Sequence, residues 1–106
     1  MIYGKDTFVL SLGGSLVVPN GGIDTQFLSD LNKFIRNQVS AKKRRFFIVV
    51  GGGATTRQYQ EAARVVKNQK IADVDLDWLG IHATRLNAQL VRTVFQDIAD
   101  PRVIKH

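Results

Sequence analysis

Hydrophobic positions along the chain form two kinds of pattern, which are short continuous runs and longer stripes at helical spacing. The segment Thr7–Leu12, TFVLSL, is rich in β-forming residues, and Phe46–Val50, FFIVV, is an uninterrupted apolar run of strand length. An uninterrupted apolar run such as FFIVV is typical of a strand that is buried on both faces of a parallel sheet. We therefore predict two parallel strands, of which the second is central.

Three other segments place apolar residues every three or four positions, which predicts amphipathic helices. The first runs from Thr25 to Gln38 and follows Asp24, a residue suited to capping a helix N-terminus. The second runs from Ala54 to Lys67, and the third from Leu76 to Asp97, where Pro101 stops it. The positions predicted to face inward are Phe27, Leu28, Leu31, Phe34 and Ile35, then Tyr59, Ala62, Ala63 and Val66, then Leu79, Ala83, Leu86, Leu90 and Val94.

The order of these elements is β-α-β-α-α, and the last five residues, RVIKH, predict a third strand. Such alternation predicts an α/β fold with a mostly parallel sheet. A length of 106 residues fits one domain over residues 1–106, with no second domain. Because two or three strands make a narrow sheet, we expect the chain to be the N-terminal portion of a larger domain or to complete its sheet with a partner.

Glycines follow both predicted strands, in LSLGGSLVV and in VVGGGATTR. We do not expect a helix directly after the first cluster, whereas the second opens a helix. The carboxyl ends of parallel strands lie at the edge of the sheet where ligands bind. Glycine lets the backbone approach an anion closely, and free N–H groups at a helix start point towards it. Two adjacent loops with Arg57 nearby therefore predict a phosphate site, although glycines that only form tight turns remain an alternative.

The two commonest nucleotide-binding motifs do not account for these glycines. No glycine is followed by lysine and then serine or threonine, so the P-loop pattern is absent. The dinucleotide fingerprint is also absent, because Gly51 and Gly53 are followed by Thr56 where a third glycine or alanine is required. Any phosphate site here must belong to another class of kinase or binding protein.

The net charge is +6, and much of the excess comes from the run at residues 42–45, KKRR. This run is interpreted as a solvated loop beside a strand, with a nucleic-acid patch as the alternative. The acidic run DVDLD lacks the glycine and glutamate of a calcium loop, so Asp73 and Asp75 are assigned to the helix N-terminus. The chain has no cysteine and no apolar run near the 20 or so residues that span a bilayer, so no membrane partner is expected.

Three segments in this order, VLSLGGSLV, IVVGGGATTRQY and LDWLGIHATRLNAQL, resemble the amino-acid kinase superfamily. They look closest to uridylate (UMP) kinases of the archaeal type, over about residues 8–90. The resemblance implies a three-layer α/β/α fold with a mostly parallel sheet, of which this chain holds only the N-terminal portion. It implies transfer of the γ-phosphoryl group of ATP to UMP, with Mg²⁺ accompanying ATP. It also implies a cytoplasmic homo-oligomer, from dimer to hexamer, formed through the long helix at residues 76–97.

The resemblance also assigns roles by position. Gly14, Ser15, Gly53 and Arg57 would bind the phosphates of ATP, and no protein ligand to a metal is predicted. The UMP-binding residues would be Gly52, at the phosphate, and Asp77, at the ribose. Thr84 and Arg85 would lie on the long helix that helps to form the subunit interface.

The chain departs from the family in two respects. Bacterial relatives have a lysine two residues before the first glycine pair, where this sequence has Ser11, so the catalytic residue is not assigned. Family members are also roughly twice as long, and we expect this chain alone not to turn over. The alternatives are a sibling kinase for carbamate, acetylglutamate or isopentenyl phosphate, a non-catalytic module that binds phosphate or oligomerises, and a nucleic-acid binder that uses the basic run.

Overall fold

The computed structural model describes residues 6–20 and 22–98. The predicted third strand and Pro101 lie outside these residues. The described elements, in chain order, are β1 (Thr7–Leu12), α1 (Gly14–Val17), α2 (Thr25–Lys42), β2 (Arg45–Val50), α3 (Gly53–Lys67) and α4 (Asp73–Val94).

The two strands pair in parallel and end together. Their register runs from Thr7 opposite Arg45 to Leu12 opposite Val50, and the N–H of Gly51 donates to the carbonyl of Leu12 at 3.1 Å. Both strands therefore deliver their following loops to the same edge of the sheet. The predicted α/β class and parallel sheet are confirmed.

Within the described residues, helices cover only one face of this sheet. Leu12 and Val50 on that face pack in one core with residues of α2 and α4. On the opposite face Val9 is 69% exposed, and Phe47 and Val49 are also exposed. The prediction that β2 is buried on both faces is therefore wrong here, because α2 and α4 pack against the same side of the sheet.

The core lies between this face and the helices. Val17 is completely buried and is the last residue of α1, which closely follows β1. The other buried apolar residues that pack around it are Leu12, Val18, Leu28, Ile35, Val50, Ala54, Val91 and Phe95. Residues from every described element thus meet in one core, and Ala54 connects this core to the second glycine loop, which it directly follows.

The helix boundaries follow from local capping. The carboxylate of Asp24 accepts a hydrogen bond from the N–H of Phe27 at 2.9 Å, which confirms the predicted cap of α2. α2 continues four residues beyond its predicted end, to Lys42, because Lys43 closes it in the left-handed conformation with φ 56°. α4 begins at Asp73 rather than Leu76, with Asp73 and Asp75 in its first turn, where the helix dipole favours acids.

Several predicted inward positions are wrong. Phe34 in α2 and Leu86 in α4 are exposed, and in α3 Tyr59 and Ala62 are exposed and Val66 is 84% exposed. The reason in α3 is that its first turn, with buried Ala54, makes the contact with the core, while the rest of the helix contacts mainly α4.

Among the described residues, no helix is both long and apolar enough to cross a membrane.

A clamp centred on Arg36 joins α2 to the end of α4. Its guanidinium donates to both carboxylate oxygens of Asp97, at 2.9 and 2.8 Å, and to the carbonyl of Val94 at 3.0 Å. The same group lies 5.7 Å from the centre of the Phe95 ring. The hydrogen bond from Arg36 lowers the pKa of the Asp97 carboxyl to about 2.

We expect this clamp to make stability depend on pH. Because the pKa of Asp97 is lowered in the folded state, its stabilisation is present above the ordinary value of 3.8 and is lost as the pH falls through about 2. Asp97→Asn should therefore lower the thermal unfolding midpoint slightly at pH 6, and the difference from wild type should vanish near pH 2. The control Glu61→Gln, in an exposed pair with Arg64 at 4.0 Å, should have no effect. Equal midpoints of wild type and Asp97→Asn at pH 6 would contradict this role.

Candidate functional site

The two glycine loops lie in direct backbone contact at the carboxyl edge of the sheet. A Cβ atom added to Gly14 would lie 2.6 Å from the Cα of Gly53 and 2.7 Å from the carbonyl carbon of Gly51. Glycine is therefore required at position 14 because another backbone occupies the space of a side chain. The predicted adjacency of the two loops is present, and the contact is so close that a ligand would have to bind over the paired loops rather than between Gly14 and Gly53.

The first loop forms one helical turn, contrary to the expectation of no helix there. The N–H of Leu16 donates to the carbonyl of Gly13 at 2.9 Å, and that of Val18 to the carbonyl of Gly14 at 2.8 Å. The carbonyl of Val18 accepts from the N–H of Ala54 at 3.1 Å, which ties this turn to the start of α3. A tight turn is needed because Val17 and Val18 must enter the core directly after the strand.

The second loop presents two N–H groups without partners. Gly52 is in the right-handed helical conformation and Gly53 has φ 59°. Successive residues of these two types form a concave nest of backbone N–H groups that suits an anion. Within the described part of the chain, the N–H groups of Gly52 and Gly53 make no hydrogen bond, whereas that of Ala54 donates to Val18.

Asn87 of α4 holds this loop by side-chain hydrogen bonds, and it is not among the site residues predicted from the sequence. Its side chain is buried, and Nδ2 donates to the carbonyl of Gly51 at 3.0 Å and to that of Gly52 at 3.1 Å. A signal was present in the sequence, because Asn87 falls four residues after Ala83 and four before Val91, both buried. An asparagine within an apolar stripe must find hydrogen-bond partners.

Two threonines lie on the α4 side of Gly52. The Oγ1 atom of Thr84 is 3.3 Å from the place where a Cβ on Gly52 would lie, and the side chain of Thr56 occupies that place. Thr84 is therefore half-buried against the loop, whereas Arg85 is exposed. Hydroxyl groups thus lie beside the peptide that carries the predicted UMP-phosphate glycine.

The other predicted site residues surround the loops with exposed side chains. Ser15 is in α1, and Arg57 lies one turn after Gly53 in α3. Ser11 is on the exposed face of the sheet, in register with Val49. None of these three side chains makes a hydrogen bond or ion pair within the described residues.

Asp77 shares a stripe of α4 with the residues that contact the second loop. Positions 77, 80, 84 and 87 are spaced by three or four residues, so they lie along one helix face. A Cβ at Gly80 would lie 3.4 Å from Thr56, which shows that this stripe faces α3. At a rise of 1.5 Å per residue, Asp77 lies about 10 Å along the helix from Thr84.

The basic run lies at the opposite end of the sheet. Arg45 begins β2, whereas Gly51 follows its last residue, so the two are separated by roughly 16 to 20 Å of extended strand. Arg44 is engaged in local structure, since its guanidinium lies 5.4 Å from the centre of the Phe8 ring and donates to Gln38. The run therefore does not contribute to the site at the glycine loops.

A separate groove of about 240 Å³ lies between α3 and α4. Its lining is mainly apolar and comprises Thr55, Tyr59, Leu79, His82, Ala83 and Leu86. His82 lies beside Trp78, with ring centres 6.0 Å apart. In residues 6–20 and 22–98, no group of three or more His, Cys, Asp or Glu side chains could hold a metal ion.

The contact between the loops makes a prediction for two neighbouring glycines. Gly14→Ala should destabilise the fold by about 3 kcal/mol, because the new Cβ meets backbone atoms that cannot rotate away. Gly13→Ala is the matched control and should change stability by less than about 1 kcal/mol, because nothing lies within 4 Å and its φ of −55° suits alanine. Urea unfolding of both variants measures the difference. Equal stability of the two would show that the loops are farther apart than described here.

Comparison with known proteins gives the family to which the chain belongs. A search of curated proteins found no significant match to the chain. The amino acid kinase family model matches residues 6–101, which include both strands, both glycine loops and all of α4. The match covers most of the chain, and the chain therefore belongs to the amino acid kinase family.

Proposed function

We propose that the chain carries the phosphate-binding loops of a kinase that transfers the γ-phosphoryl group of ATP to UMP. The family is one of phosphotransferases, which supports the reaction type. The observation that carries the proposal is the pair of glycine loops in contact at the carboxyl edge of the sheet, with the N–H groups of Gly52 and Gly53 unpartnered. The terminal P–O bond of ATP would break as a UMP phosphate oxygen bonds to the phosphorus, which gives ADP and UDP.

The chemistry requires donors for phosphate oxygens more than covalent catalysis. Negative charge spreads over the oxygens of the transferring group, and positioned N–H groups stabilise it. Gly14, Ser15 and Gly53 are proposed to bind the ATP phosphates, with the exposed guanidinium of Arg57 as a bidentate donor. Gly52 is proposed to bind the UMP phosphate. Mg²⁺ would accompany ATP without a ligand from these residues.

The choice of UMP as acceptor is supported by the position of Asp77. A carboxylate can accept hydrogen bonds from both ribose hydroxyls, whereas carbamate, acetylglutamate and isopentenyl phosphate have no ribose. Asp77 is exposed and lies on the same stripe of α4 as Thr84, whose Oγ1 atom is 3.3 Å from the place where a Cβ on Gly52 would lie. A nucleotide could therefore place its phosphate at Gly52 and its sugar along α4 towards Asp77.

A non-catalytic nucleotide-binding module is the second candidate. It is favoured by Ser11, because this residue replaces the lysine of bacterial relatives and its side chain lies on the exposed sheet face. A coupled assay of ADP release, with the rest of the protein supplied, separates the two candidates, since both bind nucleotide but only the kinase releases ADP in the presence of UMP. The proposed location is the cytoplasm.

The binding roles can be tested by calorimetric titration with Mg²⁺–ATP and with UMP. Arg57→Ala should weaken binding of Mg²⁺–ATP roughly tenfold or more, because a hydrogen bond to a charged group contributes about 1.5–3 kcal/mol. Asp77→Asn should weaken binding of UMP and leave that of Mg²⁺–ATP unchanged. Arg64→Ala, two turns further along α3 and exposed, is the matched control for Arg57 and should change neither affinity.

The outcomes of this titration separate the acceptors. Binding of Mg²⁺–ATP without binding of UMP, but with heat from carbamate, acetylglutamate or isopentenyl phosphate, would assign the chain to a sibling kinase. Wild-type affinity of Arg57→Ala for Mg²⁺–ATP would contradict the site proposed here.

We also propose that two copies of the chain associate through α4. Val74, Trp78 and Ile81 are exposed and lie on one side of this helix, at a spacing of four and three residues. Such an apolar stripe is typical of a helix that packs against a partner. A second copy of the chain is the partner implied by the proposed family subtype.

Trp78→Glu should therefore shift the chain from dimer to monomer in sedimentation or light-scattering measurements, because it buries a charge in the proposed interface. Ile23→Glu is the control, since Ile23 is similarly exposed but precedes α2. A wild-type chain that is monomeric at high micromolar concentration would contradict the proposed association.

A further inference from the structure

Asn87 makes an unusual pair of hydrogen bonds for a side chain in the middle of a long helix. It is only 4% exposed, and its Nδ2 atom lies 3.0 Å from the carbonyl oxygen of Gly51 and 3.1 Å from that of Gly52. Burial of an amide is costly without hydrogen bonds, and both acceptors here are carbonyls. The amino side of the Asn87 amide must therefore point at the loop.

The direction of the two carbonyls fixes the direction of two N–H groups. In a planar trans peptide, the C=O of one residue and the N–H of the next point in opposite directions. The described peptide bonds contain no cis form. By holding the carbonyls of Gly51 and Gly52 towards α4, Asn87 turns the N–H groups of Gly52 and Gly53 away from α4. They then face the side of the loop on which Gly14 lies, because the Gly53 nitrogen is the atom nearest to the place of a Cβ on Gly14.

The two hydrogen bonds from Asn87 are needed to fix the orientation of these peptides, because the loop consists of three consecutive glycines. Glycine peptides rotate more freely than others, and either peptide could turn its carbonyl outward if nothing held it. An outward carbonyl would repel a phosphate oxygen. A donor on each carbonyl also polarises the peptide and strengthens its N–H as a donor.

We propose that Asn87 is a positioning residue of the phosphate site, which sets the N–H groups of Gly52 and Gly53 to receive the phosphate oxygens of a nucleotide. This inference rests on the proposed function. It assigns Asn87 a role beyond that of joining α4 to the loop, because the geometry of the two hydrogen bonds determines which atoms the loop presents to the ligand.

The test compares two variants of Asn87 with a destabilised control. Asn87→Asp keeps the shape of the side chain but replaces both N–H donors with oxygen, and Asn87→Ala removes the amide. The control is Val91→Ala, one turn further along α4, where Val91 is equally buried but contacts the core rather than the loop. All variants are compared with the wild-type chain for thermal unfolding and for binding of Mg²⁺–ATP and UMP.

We expect both Asn87 variants to bind these nucleotides roughly tenfold more weakly, while Val91→Ala retains wild-type affinity despite its lower stability. In ¹H–¹⁵N spectra, the amide resonances of Gly52 and Gly53 should move in the Asn87 variants before any ligand is added. They should shift less than in wild type when Mg²⁺–ATP is added.

The negative results distinguish a failure of the proposed function from a failure of the positioning role of Asn87 alone. If the wild-type chain binds neither nucleotide, the proposed function fails and this inference fails with it. If the wild type binds but folded Asn87 variants bind equally well, or Val91→Ala loses as much affinity as they do, only the positioning role is overturned. If the Asn87 variants do not fold, the side-chain amide protons of Asn87 in the wild type decide: a downfield shift on saturation with Mg²⁺–ATP supports the role, and unchanged resonances overturn it.

Discussion

The close approach of two backbones is the constraint on which the rest of this structure depends. Gly14 lies against Gly51 and Gly53 so closely that neither side can carry a Cβ pointing at the other. This approach is possible because β1 and β2 are parallel, in register and equal in length, so that their loops emerge together. The hydrogen bond from Ala54 to Val18 then closes the contact, and Val17 fills the space beneath it.

The helices hold this contact from one side of the sheet. α4 supplies Asn87 to the carbonyls of the second loop and Val91 to the core, and its end is fixed to α2 by the Arg36 clamp. Among the described residues, the N–H groups of Gly52 and Gly53 remain without partners at the edge of the sheet where we propose that phosphates bind, which is how the fold connects to the proposed chemistry. The exposed apolar positions on the other sheet face and on α3 and α4 do not contribute to that arrangement.

Much of the fold follows from local patterns in the sequence. The limits of β1, the Asp24 cap and the start of α3 at the second glycine cluster could all be predicted, because each depends on residues within a few positions. The end of α2 could not, since it depends on Lys43 adopting a left-handed conformation that its sequence does not demand. The inward face of α3 could not be predicted either, because its apolar stripe at Tyr59 and Val66 is not the part that reaches the core.

The candidate site was partly predictable for the same reason. Glycines after two neighbouring strands indicate loops at one edge of a sheet, but the sequence cannot show that they touch, or that Asn87 reaches them from 35 residues away. A crystal structure of the chain with a non-hydrolysable ATP analogue, Mg²⁺ and UMP tests the central claim most directly. The account predicts phosphate oxygens within hydrogen-bond distance of the Gly52 and Gly53 N–H groups. Phosphates bound instead at the basic run of residues 42–45, with the glycine loops empty, would contradict it.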